Sequence, residues 1–358
     1  MNPLILLNPG PVSLTKRVRN ALLNDDLCHR EPEFSELQTK IRQKLVSIYN
    51  LQPSTWASVL LTGSGTAAVE AMIASLVPEN QHLLIIENGV YGERMTKIAC
   101  AHGIEHEVLR CDWTHAIESE KLNEIFQRKK FSHVAVVHHE TTTGRLNKLD
   151  ELGNICKRHS VRILLDGVSS FGGENIEFEK WNLDACAATA NKCLHGVPGA
   201  AFVLVNRTSL SNGRNAKTVY LDLSNYLSKQ DLGETPFTQS IQCFYALNEA
   251  LDEFSEAGGW RQRNKTFRTR MDSIRNCLAE LGVKNLINKE DSSCVLASFK
   301  TPAQKSYVEI HDNLKESGFI IYAGQGKFSS EVFRISPMGN ITNADMRRLL
   351  SALKKAIQ

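Results

Sequence analysis

The 358-residue chain is 42% hydrophobic and 23% charged, with 22 Gly and 10 Pro. These proportions exclude collagen-like, disordered and disulfide-stapled classes. Its 42 Lys and Arg stand against 39 Asp and Glu, a formal net charge of +3 with no cationic block, so a nucleic-acid partner is not expected. Nine scattered cysteines without a CxxC pair argue against a disulfide framework or a zinc site and fit a reducing compartment.

The opening MNPLILLNPGP reads as a short strand or arm, because Pro and Gly break its apolar run and the basic start of a signal peptide is missing. No apolar run approaches the ~18 residues that span a bilayer. The expectation is a soluble, cytoplasmic protein with no membrane partner. From about residue 56 to 206, apolar runs alternate with helical patterns. The expected strands are Ser58–Leu61, Leu83–Glu87, Glu105–Arg110, Val134–His138, Arg162–Asp166, Ala185–Thr189 and Ala201–Asn206. Between them, Val69, Met72, Ile73 and Leu76 recur at i, i+3, i+4, i+7, and 91–101 and 149–158 follow the same period. Such alternation means βαβ units and a mostly parallel sheet covered on both faces. The polar Glu105–Arg110 is expected at an edge.

After Asn206 the pattern changes. Residues 213–228 read as a polar loop, followed by a long helix from about Thr238 to Glu256. Ala257-Gly258-Gly259 is the best internal break. Beyond it the expected elements are a charged helix (260–281), a strand (Cys294–Phe299), a helix (307–317), strands at Ile320–Tyr322 and Glu331–Ile335, and a final helix from Asn343. The chain thus divides into an arm (1–14), a large α/β domain (15–257) and a smaller α+β domain (258–358).

In open α/β sheets, ligands bind outside the carboxyl ends of the strands, and four polar segments follow strands here. Thr62-Gly63-Ser64-Gly65-Thr66 opens a helix; its glycines and free N–H groups suit an anion, and the same turn also serves as a plain helix cap. Asp166 ends an apolar run, where it can pair with a cationic ring nitrogen, bind a metal or cap a turn. Lys192 follows another apolar run, and desolvation there lowers a lysine's pKa toward that of an amine able to attack a carbonyl; a surface loop lysine is the alternative. His138-His139-Glu140 invites a metal, but adjacent residues on an extended chain point to opposite faces, so no metal is expected. An anion cradle, an acid and a lysine at one sheet edge are the three parts that pyridoxal 5′-phosphate needs.

The chain resembles the fold-type I, class V aminotransferases. The resemblance is carried by Asn8-Pro9-Gly10-Pro11, Gly63-Ser64-Gly65-Thr66, 88–95 (NGVYGERM), 139–144 (HETTTG), 166–172 (DGVSSFG), 190–199 (ANKCLHGVPG) and Phe333-Arg334-Ile335. It implies that Lys192 bears the cofactor and shuttles the proton, and that Asp166 keeps the pyridinium nitrogen charged. It further implies Thr143 near the ring hydroxyl, Tyr91 on the ring face, and Ser64, Gly65, Thr66 and Asn191 at the phosphate. Thr235 is implied to reach the phosphate of a neighbouring subunit in a homodimer, and Arg334, with Ser13 nearby, to receive the substrate's acidic group. The implied reaction is reversible transamination of a small amino donor and a 2-oxo acid, 2-aminoethylphosphonate with pyruvate giving phosphonoacetaldehyde and alanine. The alternatives are an alanine– or serine–glyoxylate (pyruvate) aminotransferase, or a non-catalytic protein of the same fold. Ser336-Pro337-Met338-Gly339-Asn340 departs from the glycine-led turn usual after the arginine.

Overall fold

The computed structural model describes residues 4–210 and 217–358. Its centre is a seven-stranded sheet built from β1 (Trp56–Gly63), β2 (Leu83–Glu87), β3 (His106–Arg110), β4 (His133–Val137), β5 (Arg162–Asp166), β6 (Leu183–Thr189) and β7 (Gly199–Asn206). The strand order is β1-β7-β6-β5-β4-β2-β3, and β7 runs antiparallel to both its neighbours while the other pairs are parallel. Each inner strand is apolar on both faces. Leu84, Ile86, Val134, Val136, Ile163 and Leu165 face one buried cluster, while Leu83, Ile85, Ala135, Val137 and Leu164 face another. Helices cover both sides, so these strands read as unbroken apolar runs. β3, with its mixed His-Glu-Val-Leu-Arg sequence, lies at the edge.

Two helices matter for the site, α1 (Gly65–Leu76) and α2 (Val90–Ala101), each starting at the carboxyl end of a strand. Gly92 lets α2 press against β2, because a Cβ there would stand 2.8 Å from the Glu87 Cα and the Ile86 carbonyl oxygen. The expected break at 257–259 falls between α3 (Ile241–Glu256) and α4 (Gly259–Glu280). Beyond it, β8 (Ala297–Lys300), β9 (Tyr322–Ala323) and β10 (Val332–Ile335) form an antiparallel sheet in the order β8-β10-β9. Their core contains Phe299, Phe333 and Ile335. Ile5–Leu6 of the arm pairs in parallel with Phe319–Ile320, and Leu7 is buried in the same core. The arm is therefore tied to the C-terminal part and carries Asn8-Pro9-Gly10 back toward the central sheet. No helix among the described residues is long and apolar enough to cross a membrane.

Several sequence expectations are corrected. The stretch taken as a loop at 213–228 holds the start of a helix, Leu223–Asp231, whose N-cap Asp222 accepts from the Ser224 and Asn225 N–H groups; residues 213–216 lie outside the described ones. The single strand expected at Ile320–Tyr322 is two short pieces, Phe319–Ile320 on the arm and Tyr322–Ala323 on β10. The strand expected from Cys294 begins at Ala297, because the Glu174 carboxylate takes the Cys294 N–H.

Candidate active site

The residues expected on the cofactor lie at carboxyl ends of the central sheet, with Ser64–Thr66 after β1, Tyr91 after β2, Thr143 after β4, Asp166 ending β5 and Lys192 after β6. α1 begins at Gly65 with Ser64 in the N-cap position, and the Ser64 side chain makes no capping bond. The first-turn N–H groups are thus not used by a side-chain cap, and a helix N-terminus in that condition attracts an anion. Gly65 is required because a Cβ would stand 2.7 Å from a Val168 methyl. The Asn191 Oδ1 accepts from the Thr189 hydroxyl at 2.8 Å, which leaves its amide N–H groups for a ligand.

Asp166 ends β5 fully buried, and one oxygen accepts the Val168 N–H at 3.0 Å. Burial pushes this carboxyl up to about 6, opposed by that N–H and by the positive charges of Arg94 and Lys192. Lys192 sits in the turn after β6, where its amine donates to the Pro9 carbonyl of the arm. Gly10, at φ +118°, passes so close that a Cβ would stand 2.6 Å from the lysine Cδ and 2.8 Å from its Nζ. The amine is lowered to about 8, chiefly by burial, with Cys193 and Asp166 opposing and Arg334 and Arg94 adding to the shift.

Glu140 and Arg94, which the sequence reading assigned no role at the cofactor, complete the electrostatics. Glu140 is buried and accepts the Tyr91 N–H at 3.2 Å, the Thr142 N–H at 3.1 Å and the Thr142 hydroxyl at 2.6 Å. Gly89 makes room for it, since a Cβ there would overlap the carboxyl carbon at 2.2 Å. The Arg94 guanidinium lies 4.7 Å from the Tyr91 ring centroid and donates to the Thr66 hydroxyl at 3.1 Å. One face of Tyr91 is therefore covered, and Thr66 is tied to α2. Both residues lie in segments that carry the family resemblance, 139–144 and 88–95, which was the available signal for them.

Arg334, in the middle of β10, is 5% exposed. Its Nε donates to the Ala323 carbonyl at 2.8 Å, and Nη1 donates to the Thr141 carbonyl at 3.1 Å and to Gln325 Oε1 at 3.2 Å. The guanidinium is fixed in direction, with Nη2 unengaged among the described residues. Other expected residues are less directly placed. The Thr143 hydroxyl accepts the Arg145 N–H at 3.3 Å within its own turn. The Ser13 hydroxyl accepts the Leu6 N–H at 2.9 Å, inside the arm. Thr235 is buried beside Phe237, whose carbonyl lies 3.4 Å from its hydroxyl. His138 and His139 turn to separate partners, Ser170 and the Ser169 carbonyl, as the strand alternation requires.

The pattern of a class V aminotransferase matches residues 17–348. The chain belongs to that family. It is 33% identical over 359 residues to a 2-aminoethylphosphonate–pyruvate transaminase of Phocaeicola vulgatus, covering 99% of both chains. It is 35% identical over 365 residues to a bifunctional phosphonoacetaldehyde hydrolase/aminoethylphosphonate transaminase of Clostridioides difficile, covering 99% of this chain but spanning 57% of that longer one. Among solved structures, an alanine–glyoxylate aminotransferase from Nostoc sp. superposes with a TM-score of 0.92 at 24% identity, over 100% of this chain and 96% of that one. The chain is a pyridoxal-phosphate-dependent aminotransferase of fold type I, and the family implies pyridoxal phosphate as its cofactor. The residues present fit that group. Bare glycine backbone and an uncapped helix start suit its phosphate. Among the described residues the buried Asp166 has no ion-pair partner at bonding distance, which suits a carboxylate meant for a cationic ring nitrogen.

One pH dependence follows from Glu140. Burial raises its carboxyl from 4.5 to about 7, so between those values the folded chain holds a proton that the unfolded chain releases. This contribution to stability is complete below pH 4.5 and is lost as the pH rises through 7. Glu140→Gln is expected to flatten the decline, measured by chemical denaturation of the cofactor-free protein across that window. An unchanged slope would assign the decline to Asp166 instead.

Proposed function

We propose that this enzyme transfers the amino group of 2-aminoethylphosphonate to pyruvate, reversibly and in two half-reactions that use one site in turn. The carrying observation is the single buried arginine of β10, held by three acceptors with one guanidinium edge open. The phosphonate transaminase named above, matched along its full length, supports the choice of donor.

In this reading Ser64, Gly65, Thr66 and Asn191 hold the cofactor's phosphate, Asp166 its ring nitrogen, Thr143 its hydroxyl and Tyr91 its ring face. Bound there, the cofactor supplies an electron sink that lets the donor lose a carbon-bound proton. Lys192 Nζ holds and moves that proton, and burial to a pKa of about 8 keeps a share of the amine neutral near physiological pH. Arg334 grips the acidic group of the donor in one half-reaction and of the acceptor in the other. A phosphonate and a carboxylate both suit a guanidinium, so discrimination rests on reach. In 2-aminoethylphosphonate a second CH₂ separates the reacting carbon from phosphorus, whereas in alanine the acid is attached to the reacting carbon itself. The nine unpaired cysteines suit a cytoplasmic setting.

Lys192→Ala is expected to lose the visible absorbance of bound cofactor and essentially all turnover. Normal turnover with a borohydride-reducible adduct would assign the role to another lysine. In a donor panel, 2-aminoethylphosphonate is expected to exceed alanine, serine and taurine in kcat/KM. Arg334→Lys should lose on the order of 1.5–3 kcal/mol in both half-reactions. A win by alanine or serine with glyoxylate of roughly tenfold would replace the phosphonate assignment by the glyoxylate one.

The same reading includes a homodimer in which Thr235 serves the partner's phosphate site. Exposed Val219, Tyr220 and Leu232 lie in the same segment as Thr235 and supply apolar surface for such a contact. Thr235→Ala is expected to weaken cofactor retention by about 1–2 kcal/mol, measured by equilibrium dialysis. A fully active monomer in light scattering would remove this part of the proposal.

A further inference from the structure

The turn that carries Lys192 has an unusual anchor. His195, three residues on, adopts φ +63°, a left-handed conformation that few residues other than Gly, Asn, Asp and His take. Its N–H closes the turn on the Lys192 carbonyl at 3.0 Å, and Gly196 closes on Ala190 at 2.8 Å. The imidazole points away from the sheet toward the C-terminal part. There Nε2 accepts the Gly339 N–H at 2.9 Å while the ring packs on Phe267, with centroids 5.8 Å apart. Accepting at Nε2 places the ring proton on Nδ1 and requires a neutral imidazole. Burial and the adjacent Arg263 and Arg270 guanidinium groups enforce that state.

Gly339 is five residues beyond Arg334, at the end of Ser336-Pro337-Met338-Gly339-Asn340, the segment that departs from the usual turn. Every step between them is held. Ser336 donates to the Val295 carbonyl at 2.6 Å, and Arg270 donates to the Pro337 and Gly339 carbonyls at 2.9 and 3.3 Å. The Cys193 thiol donates to the Met338 sulfur at 3.7 Å, and Arg263 donates to the Cys193 carbonyl at 2.8 Å. Without the Gly339–His195 bond, the lysine turn would keep its contacts through Cys193 but lose the one made by its own left-handed residue.

We propose that His195 is a positioning residue: by accepting the Gly339 N–H in a left-handed turn, it sets the Lys192 amine at a fixed place relative to Arg334. The amine and the acid-binding guanidinium belong to different sheets. The Gly339–His195 bond is a direct link between the turn bearing one and the strand end bearing the other. The departure at 336–340 and the histidine at 195 then form one feature, a loop shaped to present an N–H and a ring shaped to receive it.

The inference rests on Lys192 being the cofactor-bearing lysine, which Lys192→Ala tests independently. The decisive comparison is His195→Asn with His195→Gln in the cofactor-loaded enzyme. Asparagine tolerates the left-handed backbone but is too short to reach Gly339, whereas glutamine can place an acceptor near the Nε2 position. His195→Asn is expected to lower kcat by about tenfold or more, as a misplaced reactive group does, with KM for the donor within about threefold. The pH midpoint of the bound cofactor's visible absorbance should move by roughly half a pH unit or more. His195→Gln should restore both. Phe267→Leu, which loosens the ring's seat and keeps the acceptor, should lower the melting temperature and leave that midpoint in place. If His195→Asn does not fold, His195→Gly takes its place in the comparison, since glycine relaxes the backbone and removes the ring. Wild-type kcat and midpoint in the acceptor-free variant would overturn the proposal. So would equal damage in His195→Gln, or a midpoint shift in Phe267→Leu as large as that in His195→Asn.

Discussion

The site depends on keeping a lysine amine out of water without giving it a carboxylate at bonding distance. Lys192 is met by a backbone carbonyl, that of Pro9, and by a glycine whose missing side chain leaves the space the amine fills. A buried ammonium is costly in such surroundings, so the neutral form gains. The architecture supplies the conditions. β6 carries Lys192 past its carboxyl end, and the arm lays Asn8-Pro9-Gly10 over it. The pairing of Ile5–Leu6 with Phe319–Ile320 holds that arm in place.

Around the amine, four more ionisable groups are drawn together at partial burial or better: Asp166, Glu140, Arg94 and Arg334. Each has a different means of tolerating that environment. Asp166 takes a single backbone N–H and is raised by burial, a state suited to a cationic ligand. Glu140 takes two N–H groups and a hydroxyl, which offset part of its desolvation and make it the hinge between the 140–142 turn and the start of α2. Arg94 spreads its charge over the Tyr91 ring, and Arg334 satisfies Nε and Nη1 with carbonyls and an amide. With Lys192 still largely protonated below a pKa of about 8 and Glu140 only partly ionised near 7, three cations outweigh two acids in this cleft before any ligand arrives. In the proposed function, the helix start and the open guanidinium edge are the complements of an anionic cofactor and an anionic substrate.

How much of this the sequence disclosed follows from which physical signals are local. The strands of the central sheet were legible because burial on both faces makes them continuous apolar runs, as in Leu83–Glu87 and Arg162–Asp166. The helix Leu223–Asp231 was missed although Leu223, Tyr226, Leu227 and Gln230 are buried at helical spacing; Ser, Asn, Lys and Asp between them made the stretch look like a loop. Lys192, Asp166 and Ser64–Thr66 stood out because strand ends followed by polar residues mark a cleft. Glu140 was weighed only as a metal candidate, because its true place depends on Gly89, far along the chain, which makes room for it. The roles of Ser13 and Thr235 are the least legible. Within one chain the Ser13 hydroxyl serves the arm, and a contact with a second subunit leaves no local pattern.

In the proposed function, Arg334 places the strongest constraint on what the enzyme can accept. A guanidinium already bonded through Nε and Nη1 has little freedom to follow its ligand, so the ligand must come to it. One such group serving two acids in alternation cannot select by charge, because both are anions with at least two oxygens to offer. Selection is left to the distance between the fixed edge of Arg334 and the reacting carbon beside Lys192. In that reading the distance follows from how β10 and its following loop seat against the lysine turn. Under the proposed function, substrate choice is set at the junction between the seven-stranded and three-stranded sheets, where Gly339, His195, Met338 and Cys193 meet.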